Sequence, residues 1–374
     1  MPTTLSYPRS LLAALVLSLA VPAAAQVPGM SVPPPDRVAH ERRPRVQVAL
    51  LLDNSGSMQG LLNQARTQLW KVVNTFATAR QQGRPVQLEL ALYEYGNGVR
   101  RLSPLTTDLD AISSQLFGLQ IAGGDEHCGA VIQAAATELE WSNHPDDLKL
   151  IYIAGNEPFT QGPVTPALAA EVARGRGITV NTIHCGGDEP SWREGARLGG
   201  GSYLTINQDA AVAQVNTPLD AELARLGALL NQTYVAYGAA GGARMERQRK
   251  LDQAVAAAAP AASAERAVAK ASRNYVNAEW DLVDAAKEGK ADVGALREEE
   301  VPTEMRGMSA TDRRAYVEKQ AAERARLQQQ IAELNRQREA YLAAERKKAA
   351  APATLDTALE QSIRSNGAKK GIQF

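Results

Sequence analysis

The 374-residue sequence is poor in several things at once: two cysteines, four histidines, four tryptophans and four phenylalanines, with aromatics at 5%. Two thiols cannot build a disulfide-stapled scaffold, so any fold must rest on an apolar core. Lys plus Arg equals Asp plus Glu at 41 each, so no overall field draws the chain to nucleic acid or to an anionic membrane face. No stretch beyond residue 25 reaches about 18 uninterrupted apolar residues, the length of a membrane-spanning helix. P-loop, zinc-protease and dinucleotide fingerprints are missing, and Gly56-Ser57-Met58-Gln59-Gly60 lacks the spacing of a hydrolase nucleophile elbow.

The amino-terminal segment has a pattern of its own. Arg9, an apolar run from Leu11 to Val21 and Ala23-Ala24-Ala25 before Gln26 read as a secretory signal over 1–25. Position 26 is not cysteine, so the lipid-attachment pattern is missing and the expected location is periplasmic or secreted. Residues 26–44 carry Pro28, Pro33, Pro34, Pro35 and Pro44 and read as an extended linker.

From residue 45 to 235 hydrophobic periodicity alternates between two kinds of element. Val46–Leu52 is a continuous apolar run, as in a strand covered on both faces. Leu62, Ala65, Leu69, Val72, Val73 and Phe76 recur at helical spacing, and Val86, Leu88, Leu90 and Leu92 alternate like a half-buried strand. The Gly96-Asn97-Gly98 turn predicts a hairpin into Val99–Leu105. Two helical stretches, a strand at Leu148–Ala154, a helix at Pro166–Arg174, strands at Ile178–Cys185 and Ser202–Ile206, and a helix opened by Thr217-Pro218 continue the series. Such alternation predicts an α/β fold: an open, mainly parallel sheet with helices on both faces.

Beyond Tyr234 the composition shifts to Ala, Glu, Arg, Lys and Gln. Residues 244–347 are expected to form a helical, coiled-coil-like tail, with 348–374 as a carboxyl-terminal segment holding a short helix. Pro260 should interrupt one helix, a second should run from about 262 to 287, and Ser309-Ala310-Thr311-Asp312 should cap a long third one. In that last helix Val317, Arg324, Ile331 and Arg338 share one heptad position and Gln320, Leu327, Leu334 and Tyr341 the other. This diluted seam predicts a hairpin that projects from the sheet domain and is available for self-association.

Asp53-Asn54-Ser55-Gly56-Ser57 follows the first central strand and precedes a helix, at the edge where open α/β sheets bind ligands. Read alone, Asp53 and Ser55 could simply cap that helix. Asp-x-Ser-x-Ser at this place resembles the metal-ion-dependent adhesion site of von Willebrand factor type A (vWA) domains, whose element order the segment from about 45 to 232 matches. The stretches Asn277–Asp284 and Glu304–Met308 resemble tails of exported bacterial vWA proteins. The resemblance implies the vWA fold and a hard divalent cation, Mg²⁺ or else Mn²⁺ or Ca²⁺, held by Ser55 and Ser57 with Asp53.

Two loops depart from the family's pattern. Gly123-Gly124 is followed by Asp125-Glu126 where a hydroxyl is expected, which makes Asp125 or Glu126 the replacement ligand. Gly155 stands where the family has an acidic residue, leaving Asn156 and Glu157 as accessory candidates and implying that Gly155→Asp would tighten the site. Cys128 and Cys185 are expected near that edge. An exported setting favours a disulfide between them, with separate thiols, or a zinc site formed with His127 and His184, as alternatives. The implied function is binding of a protein partner in the cell envelope through the metal edge and the tail. A metal-dependent hydrolase and a scaffold with a vestigial site are the competing readings.

Overall fold

The computed structural model describes residues 42–207, 216–346 and 355–374. The signal segment 1–25 and all but the last three residues of the 26–44 linker lie outside the described residues. Buried apolar strands assemble a six-stranded sheet in the order β5-β4-β1-β6-β7-β8: β1 (Arg45–Asp53), β4 (Gln87–Tyr95), β5 (Val99–Thr106), β6 (Leu148–Gly155), β7 (Thr179–His184) and β8 (Gly200–Thr205). All neighbours are parallel except β4 and β5, the predicted hairpin. A small second sheet joins β2 (Arg80–Gln81), β3 (Arg84–Pro85) and β9 (Ile372–Gln373), none of which the sequence pattern announced.

The two faces of the main sheet carry separate cores because successive residues on a strand point to opposite sides. Ala49, Leu51, Tyr93, Tyr95, Ile151 and Ile153 face α3 (Cys128–Glu138), α4 (Pro166–Gly175) and α5 (Pro190–Gly199). Val48, Leu50, Leu52, Leu90 and Leu92 face the other way, toward α1 (Gln59–Thr75), α2 (Leu109–Gly118) and α6 (Asp220–Asn231). The two thiols divide the same way: Cys128 packs in the first core and Cys185 in the second. Both are free and buried, so the expected Cys128–Cys185 bond is absent; the thiols belong to cores on opposite faces of one sheet.

The tail also departs from expectation, because it does not project. Its helices are α7 (Gly238–Ala258), α8 (Pro260–Ala271), α9 (Leu282–Lys287), α10 (Ala310–Arg346) and α11 (Leu355–Ala368). The break before Pro260 falls as predicted, but the expected 262–287 helix is two helices around a turn that buries Trp280. Helix α8 lies on α1 and α6, α10 on α6, α8 and α9, and α11 on α1, so the tail is a jacket over the sheet domain. Ser309 caps α10 as its spacing predicted, its Oγ accepting from Asp312 N at 3.1 Å.

The supposedly diluted seam explains the docking. Val317, Arg324, Ile331 and Arg338 are all buried, and the two arginines meet acids from distant elements. Arg324 Nη1 bonds Asp281 Oδ2 at 2.6 Å and Asp284 Oδ1 at 3.0 Å, its Nη2 bonds Thr233 O at 2.7 Å, and its guanidinium lies over Tyr234. Arg338 donates to Asp220 Oδ1 and Glu265 Oε1, both at 2.6 Å. The positions expected to await a second chain are filled by this chain's own body. A planar, always-charged fork suits such buried bidentate pairing.

Candidate functional site

The site begins where β1 runs out of apolar residues. Asp53 is its last residue and pairs in register with Tyr95 at the end of β4, so the loops after β1 and β4 leave the sheet side by side. Asn54 N donates to Tyr95 O at 3.0 Å, and Asn54 O accepts from Ala122 N at 2.8 Å, which draws in the loop before α3. The contact needs glycine twice. Gly96 has φ +144 and a β-carbon there would lie 2.8 Å from Ser55 N; Gly124 has φ +151 and its β-carbon would lie 2.3 Å from Gly96 O.

The capping alternative fails on geometry. Met58 occupies the N-cap of α1 and no side chain caps that helix. Helix capping therefore does not account for Asp53, Ser55 and Ser57. Asp53 Oδ1 accepts from Ser55 N at 2.7 Å, Ser55 Oγ lies 3.4 Å from Ser57 Oγ, and Ser57 Oγ is 3.3 Å from Asn156 Oδ1. Asp53 is fully buried, and its Oδ2 receives no hydrogen bond.

Between the two acidic candidates in the Gly-Gly loop the structure distinguishes clearly. Glu126 is buried against Asp53, whereas Asp125 is exposed. Burial first, and then the neighbouring Glu126 carboxyl, push the Asp53 carboxyl from 3.8 up to about 8. Of the accessory candidates, Asn156 reaches Ser57; Glu157 is exposed, and its Oε2 accepts from Gln161 Nε2 at 3.4 Å.

Gly155 is not a vacancy waiting for an acid. A β-carbon there would lie 2.5 Å from Tyr95 Oη and 3.1 Å from Asp53 Oδ2, so the expectation that Gly155→Asp restores a ligand is overturned by crowding. Tyr95, which sequence reasoning missed, donates to Ala154 O at 2.9 Å and occupies the space an acidic side chain would need. Its register opposite Asp53 was the available signal. Asn54 was also missed: its Nδ2 donates to Glu94 Oε2 at 3.0 Å and to Gln120 O at 3.2 Å, fastening the turn.

The zinc alternative gains nothing from the geometry. His184 Nδ1 lies 2.7 Å from Gly187 O and Nε2 lies 3.1 Å from Asn156 O, so both ring nitrogens face backbone carbonyls. Among the described residues no three His, Cys, Asp or Glu side chains gather as a metal-holding group. A cation here would depend on the serine hydroxyls.

Comparison with known proteins places this edge in a family. Residues 48–153 match the sequence model described as the von Willebrand factor type A domain. The chain carries a vWA domain. No curated protein matches the sequence. Solved structures similar to this vWA chain include an aerotolerance-related membrane protein from Bacteroides fragilis, at 18% identity over 44% of this chain and 94% of that one, TM-score 0.33. BatB from Bacteroides thetaiotaomicron is 17% identical over 43% and 90%, TM-score 0.37. Proximal thread matrix protein 1 from the mussel byssus, solved with a zinc-occupied MIDAS motif, is 13% identical over 45% and 43%, TM-score 0.38. Among the described residues of this vWA chain no helix is long and apolar enough to cross a membrane.

Proposed function

We propose that this vWA chain is an exported interaction protein whose sheet edge takes up a hard divalent cation, Mg²⁺ by preference, and engages a protein partner there. Ser55 and Ser57 supply hydroxyl oxygens, Asp53 and Glu126 supply charge, and Asn156 orients Ser57. One observation carries this reading: Asp53 Oδ2 is buried without a donor, in a turn where Ser55 Oγ, Ser57 Oγ and Asn156 Oδ1 follow one another. Burying a carboxylate without a partner is costly, and a cation would relieve that cost. When bound, the ion supplies positive charge that orders the loop and neutralises the paired carboxyls.

The chain's own residues do the rest. Glycines 96 and 124 hold the three loops in contact, and Tyr95 closes the floor. Asp53 must lose its proton before it can act as a ligand, so uptake strengthens as pH rises toward 8. The jacket is the part that fixes the sheet domain as a single body, rather than a second arm for partners. Secretion follows from the segment at 1–25 and an envelope partner from that location.

Calorimetry of Mg²⁺, Mn²⁺ and Ca²⁺ binding to the intact protein and to Ser55→Ala/Ser57→Ala tests the metal reading. Capture from envelope extract with and without chelator tests the partner reading. Binding of an ion by the intact protein but not the variant, with capture lost on chelation, is the expected result. No uptake at millimolar ion, with capture unchanged in the variant, would assign partner binding elsewhere and leave the edge a scaffold.

A further inference from the structure

The charge left unpaired around the candidate site is acidic, since Arg100, just beyond the 96–98 turn, is matched by Glu94, whose other oxygen holds Asn54. Five segments reach the rim: 54–58, 96–98, 119–127, 156–165 and 185–189, and none contains a lysine or an arginine. Their charged residues other than histidine are Asp125, Glu126, Glu157, Asp188 and Glu189, joined from below by Asp53. Asp188 is matched by Arg193, and Glu189 is used in accepting from Ser191 N at 3.0 Å at the start of α5. Asp125 and Glu157 stay exposed. In a chain of zero net charge this is a local acidic field.

A second observation marks the same place as one that receives something. The Asp53 carboxyl group is wholly buried, and its Oδ2 has no donor. We infer that the partner of this edge presents lysine or arginine side chains, and that Glu126 makes it so. The inference rests on the proposed cation site. A divalent ion held only by hydroxyls and one carboxylate keeps positive charge and attracts an acidic partner. Here Asp53 and Glu126 together cancel a charge of two, which leaves Asp125 and Glu157 to set the sign of the rim. Charge complementarity then favours a basic segment and repels a carboxylate.

The test uses the full chain in Mg²⁺ with two peptides of equal length, one bearing Lys and Arg and the other bearing Glu in their place. Binding is read by calorimetry at low and at high ionic strength. The basic peptide should bind at least about tenfold more tightly, with the difference shrinking in salt as it must for rim charges. Asp125→Asn/Glu157→Gln should weaken the basic peptide about three- to tenfold. Glu126→Thr should bring in binding of the Glu peptide when Mg²⁺ is present. Equal or tighter binding of the Glu peptide by the unaltered chain overturns the inference, as does failure of both peptides to bind. Should Mg²⁺ give no heat while the preference for the basic peptide persists, the metal reading fails and the assignment of a basic partner stands. Mg²⁺ uptake together with preference for the Glu peptide upholds the metal reading and overturns the basic partner.

Discussion

Two regions of this molecule draw an aspartate out of water, Asp53 completely and Asp252 in part, and they treat it in opposite ways. At the sheet edge Asp53 sits beside Glu126 with no cation near, and its carboxyl is pushed up to about 8. Under the helical jacket Asp252 meets Lys270 Nζ at 2.9 Å and the Arg266 guanidinium, and its carboxyl is held down at about 2. Both have lost much of their water. The difference lies in what replaces it: fixed cations make the jacket acid a structural lock, while their absence leaves the edge acid uncompensated.

Breaking a lock should have the largest effect. Arg324→Ala leaves the fully buried Asp281 without its cation and should cost about 3–5 kcal/mol of stability, measured by urea denaturation. A loss below about 1 kcal/mol, the range of a surface pair, would show that the jacket is not held this way.

The next test sets the two regions against each other along pH. Asp53 in the metal-free protein has its folded value raised above 3.8, so its contribution to stability is fully present below about 4 and is lost as pH rises through about 8. Asp252 has its folded value depressed, so its contribution is present above about 4 and is lost as pH falls toward 2. Asp53→Asn should therefore flatten the alkaline side of the stability profile and leave the acid side in place. An unchanged alkaline slope in that variant would sever Asp53 from the effect.

Smaller still is the expected stability change in Ser55→Ala/Ser57→Ala, within about 1 kcal/mol in thermal melts, since neither hydroxyl supports a core. The same melts in millimolar Mg²⁺ should rise for the unaltered protein and stay flat for the variant, because ligand binding to the folded state alone raises the midpoint. The smallest effect belongs to the thiols. Reductant should leave the melting temperature where it is, because Cys128 and Cys185 are free; a drop would reveal a bond between them.

The same contrast explains what could be read from the sequence. Strands β1, β4, β6 and β7 carried period-two or continuous apolar patterns, the Gly96–Gly98 turn announced β5, and α1 showed a period of 3.6, so the sheet and its candidate site edge were legible in advance. The jacket was not. Arg324 and Arg338 look like solvated interruptions of a seam until Asp281, Asp284, Asp220 and Glu265 meet them, and those partners lie 40 to 118 residues away. A local pattern cannot report a distant countercharge. At the edge, Asp125 and Glu126 are adjacent in an irregular loop, where no periodicity tells which one turns inward. The crowding of Gly155 by Tyr95 is likewise a tertiary fact, invisible in either residue's neighbours along the chain.

Helix α11 and strand β9 change what counts as the smallest foldable piece. Leu355, Leu359 and Ile363 complete the same core as Val48, Leu50 and Ile183, Leu355 N reaches Gln64 Oε1 at 3.0 Å, and Ile372 pairs with Gln81. A fragment cut to the matched segment 48–153, or even to the whole sheet through residue 235, would leave a broad oily face open to water. Such a fragment is an aggregation hazard rather than a module. Anyone wishing to transplant this candidate edge, or to fuse it to something else, must carry about 330 residues to move a five-residue loop.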